Sequence, residues 1–365
     1  MNPSPPYPPI QYHDYLKLDD ILKAQSLRSE EFGNAAHDEM LFIITHQTYE
    51  LWFKQILYEI DSVITIFSSD RVREENMGLA VSRLQRVIEI QKILIDQIRI
   101  METMTPLDFL DFREYLYPAS GFQSFQFRLV ENKLGLESQR RLAYNQSSYR
   151  DYLQPHQAAQ LAHAETEMSL FDGVEKWLER TPFLQIGSFN FWQSYREAVM
   201  KMFDDEKEVV SNNPNLGDEA REFNIKGIED SRNLFESLFN SKSYEESLKQ
   251  GQWRLSYKAI HAALFIQLYR HLPGLQLPFR LITSLLDIDE LMTSWRSRHA
   301  LMAKRMIGTK IGTGGSSGYQ YLREATESHK IFTDFFQLTT FFIPKSSLPD
   351  LPEEIKMKLR FNYEQ

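Results

Sequence analysis

Apolar residues return at helical spacing along most of this chain, and few stretches alternate as a half-buried strand would. From about Ala36 to Phe67 the pattern predicts one long helix, with Phe42, His46, Tyr49 and Phe53 on one side at steps of four, three and four. Glu74 to Met104 predicts a second, its apolar face built from Leu79, Leu84, Val87, Ile88, Ile95 and Ile98. Thr105-Pro106-Leu107-Asp108 then reads as a capped start, with proline at the first helical position, for a helix ending near Pro118. Another helix is expected around Phe122–Glu131, followed by a loop over 136–155. Helical patterns continue from Ala158 to Leu272, broken by TPFLQIG and by polar turns at 210–222; their last piece, about Arg254–Leu272, is expected to be amphipathic. Phe279–Ile307 predicts a further long helix and Ile331–Phe342 a shorter one.

The fold class is therefore all-α. The expected organisation is one helical domain over 12–350, with a variable helical insertion at about 136–280. A Pro-rich extended segment covers 1–11 and a tail covers 351–365.

Composition narrows the chemistry. The 365 residues are 42% hydrophobic and 13% aromatic, enough for a sizeable core. The net charge is -9 with both signs interspersed, and no basic stripe offers a nucleic-acid footprint. Cysteine is absent, which excludes disulfides, thiolate catalysis, iron–sulfur clusters and thiolate-ligated or covalently attached c-type haem. A metal here must rest on His, Asp, Glu or other oxygen donors. No charged leader with an apolar run opens the chain and no run of roughly 18 apolar residues follows, so a soluble cytoplasmic protein without membrane contact is expected.

Four local features carry candidate chemistry. Ile288, Met292, Trp295, His299, Met302 and Met306 form one helical stripe, so His299 is either a satisfied core histidine or a neutral axial ligand of the kind a cysteine-free haem site uses. His46 sits similarly among aromatic residues, as a second ligand, a distal pocket group or a structural histidine; spacing does not choose. His46-Gln-Thr-Tyr-Glu50 is not the HExxH of zinc proteases. Gly312-Thr-Gly-Gly-Ser-Ser-Gly318 lacks the Lys-Ser/Thr of a phosphate-binding loop; it is a plain linker or a cradle of N–H and hydroxyl donors for a carboxylate. Arg113, four residues after Phe109, is a carboxylate clamp beside a flat ring or part of a surface network with Asp108, Asp111 and Glu114.

Three long blocks bring these residues together. FIITHQTYELWFKQILYEIDSV (Phe42–Val63), MTPLDFLDFREYLYPASGFQSFQFR (Met104–Arg128) and WRSRHALMAKRMIGTKIGTGGSSGYQYLR (Trp295–Arg323) resemble the tryptophan 2,3-dioxygenase family. The similarity spans most of Tyr12–Pro344 and is least diagnostic in the middle insertion.

The resemblance implies an all-helical enzyme holding non-covalent haem b, ferrous in the active state. It converts L-tryptophan and O2 to N-formyl-L-kynurenine, the first step of tryptophan degradation through kynurenine. By position in the blocks, His299 matches the proximal iron ligand and His46 the distal histidine that meets the indole N–H. Phe42 and Phe109 match residues flanking the indole, Arg113 the substrate-carboxylate clamp, and Thr313 the loop residue fixing the amino-acid backbone. Ser120 matches the wall near haem and substrate, with Trp295 and Gly314 on the cofactor side. Tyr12 and Tyr15 match an N-terminal arm that closes a neighbouring subunit's pocket, so a homotetramer built as a dimer of dimers is implied. The alternatives are a related indole or substituted-tryptophan dioxygenase and a non-catalytic haem sensor.

Overall fold

In the computed structural model, residues 7–142, 149–182, 184–310 and 318–360 are described. Three short helices, α1 (Tyr12–Leu16), α2 (Leu18–Ile21) and α3 (Arg28–Glu31), lead to the first long one, α4 (His37–Phe67). The α4 start has no side-chain cap of its own. Its buried Glu39 instead reaches back to α3, accepting from the Arg28 and Ser29 N–H groups at 2.8 and 2.9 Å, which pins the arm to the helix. Phe53, Ile56, Leu57, Ile60, Val63 and Phe67 bury one face of α4, the helical repeat the sequence shows.

Helix α5 (Glu74–Met101) packs along α4 and ends three residues earlier than expected. Thr103 and Met104 close three-residue turns there, and Thr105 must be extended because a proline follows. Thr105 then caps α6 (Pro106–Arg113) in a reciprocal box with Asp108, as predicted. A single 3-10 turn, Glu114–Leu116, ends this stretch just before Pro118.

The next expected helix is split. Ser120 and Gln123 box a 3-10 turn over Gly121–Gln123, and Ser124 then caps α7 (Phe125–Leu134). Gly135, at φ +112, ends α7 in a left-handed conformation; a Cβ there would lie 2.6 Å from the Phe171 Cβ, so only glycine fits.

The middle region supplies α8 (Pro155–Ala164), α9 (Leu170–Glu179), α10 (Phe191–Ser211), α11 (Asp218–Phe239), α12 (Ser241–Lys249) and α13 (Tyr257–Leu268). TPFLQIG, expected only as a break, carries β1 (Gln185–Ile186), which pairs antiparallel with β2 (Phe189–Asn190) just beyond it. Helix α13 is not amphipathic: Ala259, Ile260 and every residue from Ala262 to Leu268 are buried, because α9, α12 and α14 (Gln276–Ile307) contact it. The middle region therefore shares its core with the long helices.

Helix α14 lies against α5 and against α15 (Gly318–Ser328), which the sequence reading did not anticipate. The expected helix over Ile331–Phe342 is shorter, α16 (Thr333–Gln337) continued by a 3-10 turn, Leu338–Phe341. Its start is fixed from outside, since the buried Asp289 carboxylate accepts the Ile331 and Phe332 N–H groups at 2.9–3.1 Å. In the expected tail, α17 (Glu353–Lys358) brings Ile355 into the main core, alongside Leu351 and Leu359. Among the described residues no helix is long and apolar enough to cross a membrane.

Candidate active site

A cavity of about 310 Å³ opens between α4, α6, α7 and α14, walled mainly by apolar side chains. Five of its residues come from α4: Phe42, His46, Tyr49, Glu50 and Phe53. Trp295, His299, Met302 and Met306 face it from α14, so the later part of the stripe read from the sequence lines a cavity, while Ile288 packs in the main core. At 1.5 Å per residue, roughly 16 Å of helix separates Phe42 from Phe53, and the same length separates Trp295 from Met306. The cavity thus has two ends. At one, Phe42 meets Phe109 and Phe112, with ring centroids 5.8 and 5.5 Å away. At the other, Phe127 of α7 packs on Phe53 at 5.4 Å and on Trp295 at 5.0 Å.

The two histidines are held differently. His46 Nδ1 lies 2.7 Å from the Phe42 carbonyl, which can only accept, so Nδ1 carries the proton and Nε2 keeps its lone pair. The Phe42 ring covers the imidazole at 4.1 Å between centroids. Burial pulls the His46 pKa below 6.5 against the Phe42 carbonyl and Glu50, so the ring is neutral at pH 7. His46 stands on the cavity wall, its exposed side toward the cavity.

His299 is enclosed more deeply. Burial, with a contribution from His46, lowers its pKa to about 4, so it too presents an uncharged imidazole. Its Nδ1 is buried without a partner, leaving Nε2 as the nitrogen available to the cavity. The Trp295 ring lies parallel to the imidazole, 6° between planes and 5.3 Å between centroids. Tyr49, fixed by donating to the Leu94 carbonyl at 2.7 Å, stands edge-on to Trp295 and sets its plane.

Arg113, in the last turn of α6, lines the cavity beside Phe109. Ser120 lines it from the capping turn; its hydroxyl oxygen accepts the Phe122 N–H at 3.4 Å, leaving its own proton to donate. Thr313 and Gly314 lie outside the described residues. Tyr12 and Tyr15 are not in this cavity: both rings project from α1, 74% and 70% exposed. The sequence reading missed Glu50, Arg128, Glu131, Arg296, Tyr321 and His329, which also line the cavity. Arg128 and Glu131 stand three apart on α7, a spacing that reads equally well as a surface ion pair, so only tertiary structure shows where they face.

Two uncharged histidines face one largely apolar cavity from different helices, with arginines toward both ends, an arrangement whose chemistry suits a flat, carboxylate-bearing small molecule. Among the described residues no group of three or more His, Asp or Glu is placed to hold a metal ion. A family model described as tryptophan 2,3-dioxygenase matches residues 8–342. Tryptophan 2,3-dioxygenase of Bdellovibrio bacteriovorus is 58% identical over 98% of this chain and 99% of its own length. Tryptophan 2,3-dioxygenase A of Danio rerio is 50% identical over 93% and 84%, and the Mus musculus protein of the same name is 48% identical over 93% and 84%. The chain belongs to the tryptophan 2,3-dioxygenase family.

Proposed function

We propose that this protein is a haem-dependent dioxygenase that converts L-tryptophan and O2 to N-formyl-L-kynurenine. The observation that carries the reading is the pairing of His46 and His299 across one cavity, both neutral, with a nitrogen lone pair on each side. The residues fit a haem. His299 offers a single buried imidazole with Nε2 toward the cavity, and Trp295 and Phe127 offer flat apolar packing. Bound through His299, haem iron would supply the activation of O2 that adds both oxygen atoms across the indole C2=C3 bond.

The chain's own residues do the positioning. His46 Nε2 accepts the indole N–H, since the Phe42 carbonyl has already fixed the proton on Nδ1. Phe42 and Phe109 enclose the indole, and Arg113 holds the substrate carboxylate in a two-point contact, with Ser120 on the adjoining wall. On resemblance, Thr313 is assigned to fixing the amino-acid backbone and Gly314 to the cofactor side. The exposed Tyr12 and Tyr15 rings support an arm that completes a neighbouring site in a cytoplasmic homotetramer.

The test is anaerobic reduction of the haem-loaded protein followed by tryptophan and O2, monitoring the haem spectrum and N-formylkynurenine together; haem without that product overturns the reading. In the same assay Arg113→Leu should raise KM far more than it lowers kcat, costing about ten- to a hundred-fold in kcat/KM. Unchanged tryptophan affinity would remove the clamp role. Protonating His46 at Nε2 would turn its acceptor into a donor facing the indole N–H. Because burial lowers its pKa from 6.5, the acid limb of kcat/KM should be centred below pH 6.5. An acid limb centred above pH 6.5 would count against this role.

A further inference from the structure

Beyond the aromatic end of the large cavity lies a second, much smaller one. Its volume is about 10 Å³, room for a single small molecule. Phe53, Phe127 and Trp295 line both cavities, so one layer of rings separates them. Phe127 packs 5.4 Å from Phe53 and 5.0 Å from Trp295, and Trp295 stands at 86° to Phe53. The far side is closed by Ile56, Leu94, Val130 and Met292, one from each of α4, α5, α7 and α14, and all four are buried.

The polar groups within reach decide what such a space can hold. A buried water needs two to four polar partners. Two lining residues carry polar atoms, Trp295 and Gln91. Burial pushes the Tyr49 pKa up to about 12 and the Trp295 N–H opposes it, so that N–H is turned toward Tyr49, which lines the large cavity and not the small one. Gln91 donates from Nε2 to the Ile288 carbonyl at 3.4 Å, and its Oε1 is buried without a partner. The surface that meets the void is apolar, so at most one acceptor stands behind it. Water would forfeit most of its hydrogen bonds here, whereas a small apolar molecule would forfeit none.

We infer that the small cavity is a docking site for molecular oxygen, held one ring layer from the large cavity. This inference rests on the dioxygenase reading above, because that reaction is what consumes O2. An uncharged diatomic gains dispersion contact with Ile56, Leu94, Val130 and Met292 and buries no polar group. Its passage into the large cavity needs a rotation of Phe53, Phe127 or Trp295, and no movement of a helix.

Xenon, an apolar atom that diffraction locates directly, is the probe. Crystals of the full-length chain loaded with haem are pressurised with xenon and compared with unpressurised ones. A xenon peak enclosed by Ile56, Leu94, Val130 and Met292 is expected, at a position that holds no ordered water beforehand. Val130→Ile adds one methylene to the wall and should remove that peak. The same variant should lower kcat/KM for O2 about three-fold or more, leaving kcat/KM for tryptophan at saturating O2 unchanged. No xenon at this position, or an ordered water in its place, overturns the docking site and leaves the dioxygenase reading standing; that arm needs no variant that folds. Loss of the peak in Val130→Ile with kcat/KM for O2 unchanged overturns it too, the void then being a packing gap only. An equal fall against both substrates also overturns a role specific to O2. A xenon peak in a chain that makes no N-formylkynurenine overturns the dioxygenase reading, and the oxygen site with it.

Discussion

Replacing His299 with glycine is expected to abolish turnover and leave a chain that no longer retains haem through gel filtration. The imidazole is buried deeply enough to lower its pKa to about 4, so at pH 7 it is a lone-pair donor with almost no competing protonation. Losing a residue that merely supports a ligand costs roughly 10- to 100-fold in metal affinity, and loss of the ligand itself should exceed that. Imidazole added to the His299→Gly protein should restore haem retention, because the Trp295 ring still defines a parallel slot for a flat heterocycle. Full retention and turnover in the unsupplemented variant would show that iron is held elsewhere.

Glu131→Gln should cost about 3–5 kcal/mol of stability, the usual penalty for stripping one partner from a buried ion cluster. Burial opposes ionisation of Glu131. Arg141, the His329 N–H, Arg128 and Arg296 outweigh it and hold the carboxyl well below 4.5. A depressed folded-state pKa stabilises above the unfolded value, so this contribution is present above about pH 4.5 and disappears as pH falls through the folded value. Urea denaturation at pH 7 and again near pH 3 checks both parts. A change below about 1 kcal/mol at neutral pH would mean that water, and not Glu131, balances the arginines.

How much of this was legible in the sequence depends on the range of the forces involved. The long helices were, because Phe42, His46, Tyr49 and Phe53 recur at helical steps along α4, whose buried face then continues through Ile60, Val63 and Phe67. The Thr105 cap was, because a capping box is local. The early end of the Ile331–Phe342 segment was not: Asp289, some forty residues away, sets its start. Helix α13 misled for a similar reason, since burial on every side depends on neighbours that periodicity does not name.

The site divided along the same line. His299, His46, Phe42, Phe109, Arg113, Ser120 and Trp295 do line one cavity, which neither spacing nor composition shows alone. Their association rested on the three long sequence blocks. The Glu131 cluster escaped notice because its members come from α7, the segment after it, α14 and the residue just past α15, with Glu131 and His329 198 positions apart.

The bond from His46 to the Phe42 carbonyl bears on how this site tolerates genetic change. Every amino acid brings a main-chain carbonyl, so no substitution at position 42 deletes the group that fixes the imidazole proton. Such a substitution reshapes this wall of the cavity and leaves the acceptor at Nε2 in place. Variation at this position can therefore retune which ring is admitted without first dismantling the histidine that greets it, which separates the inheritance of specificity from that of chemistry.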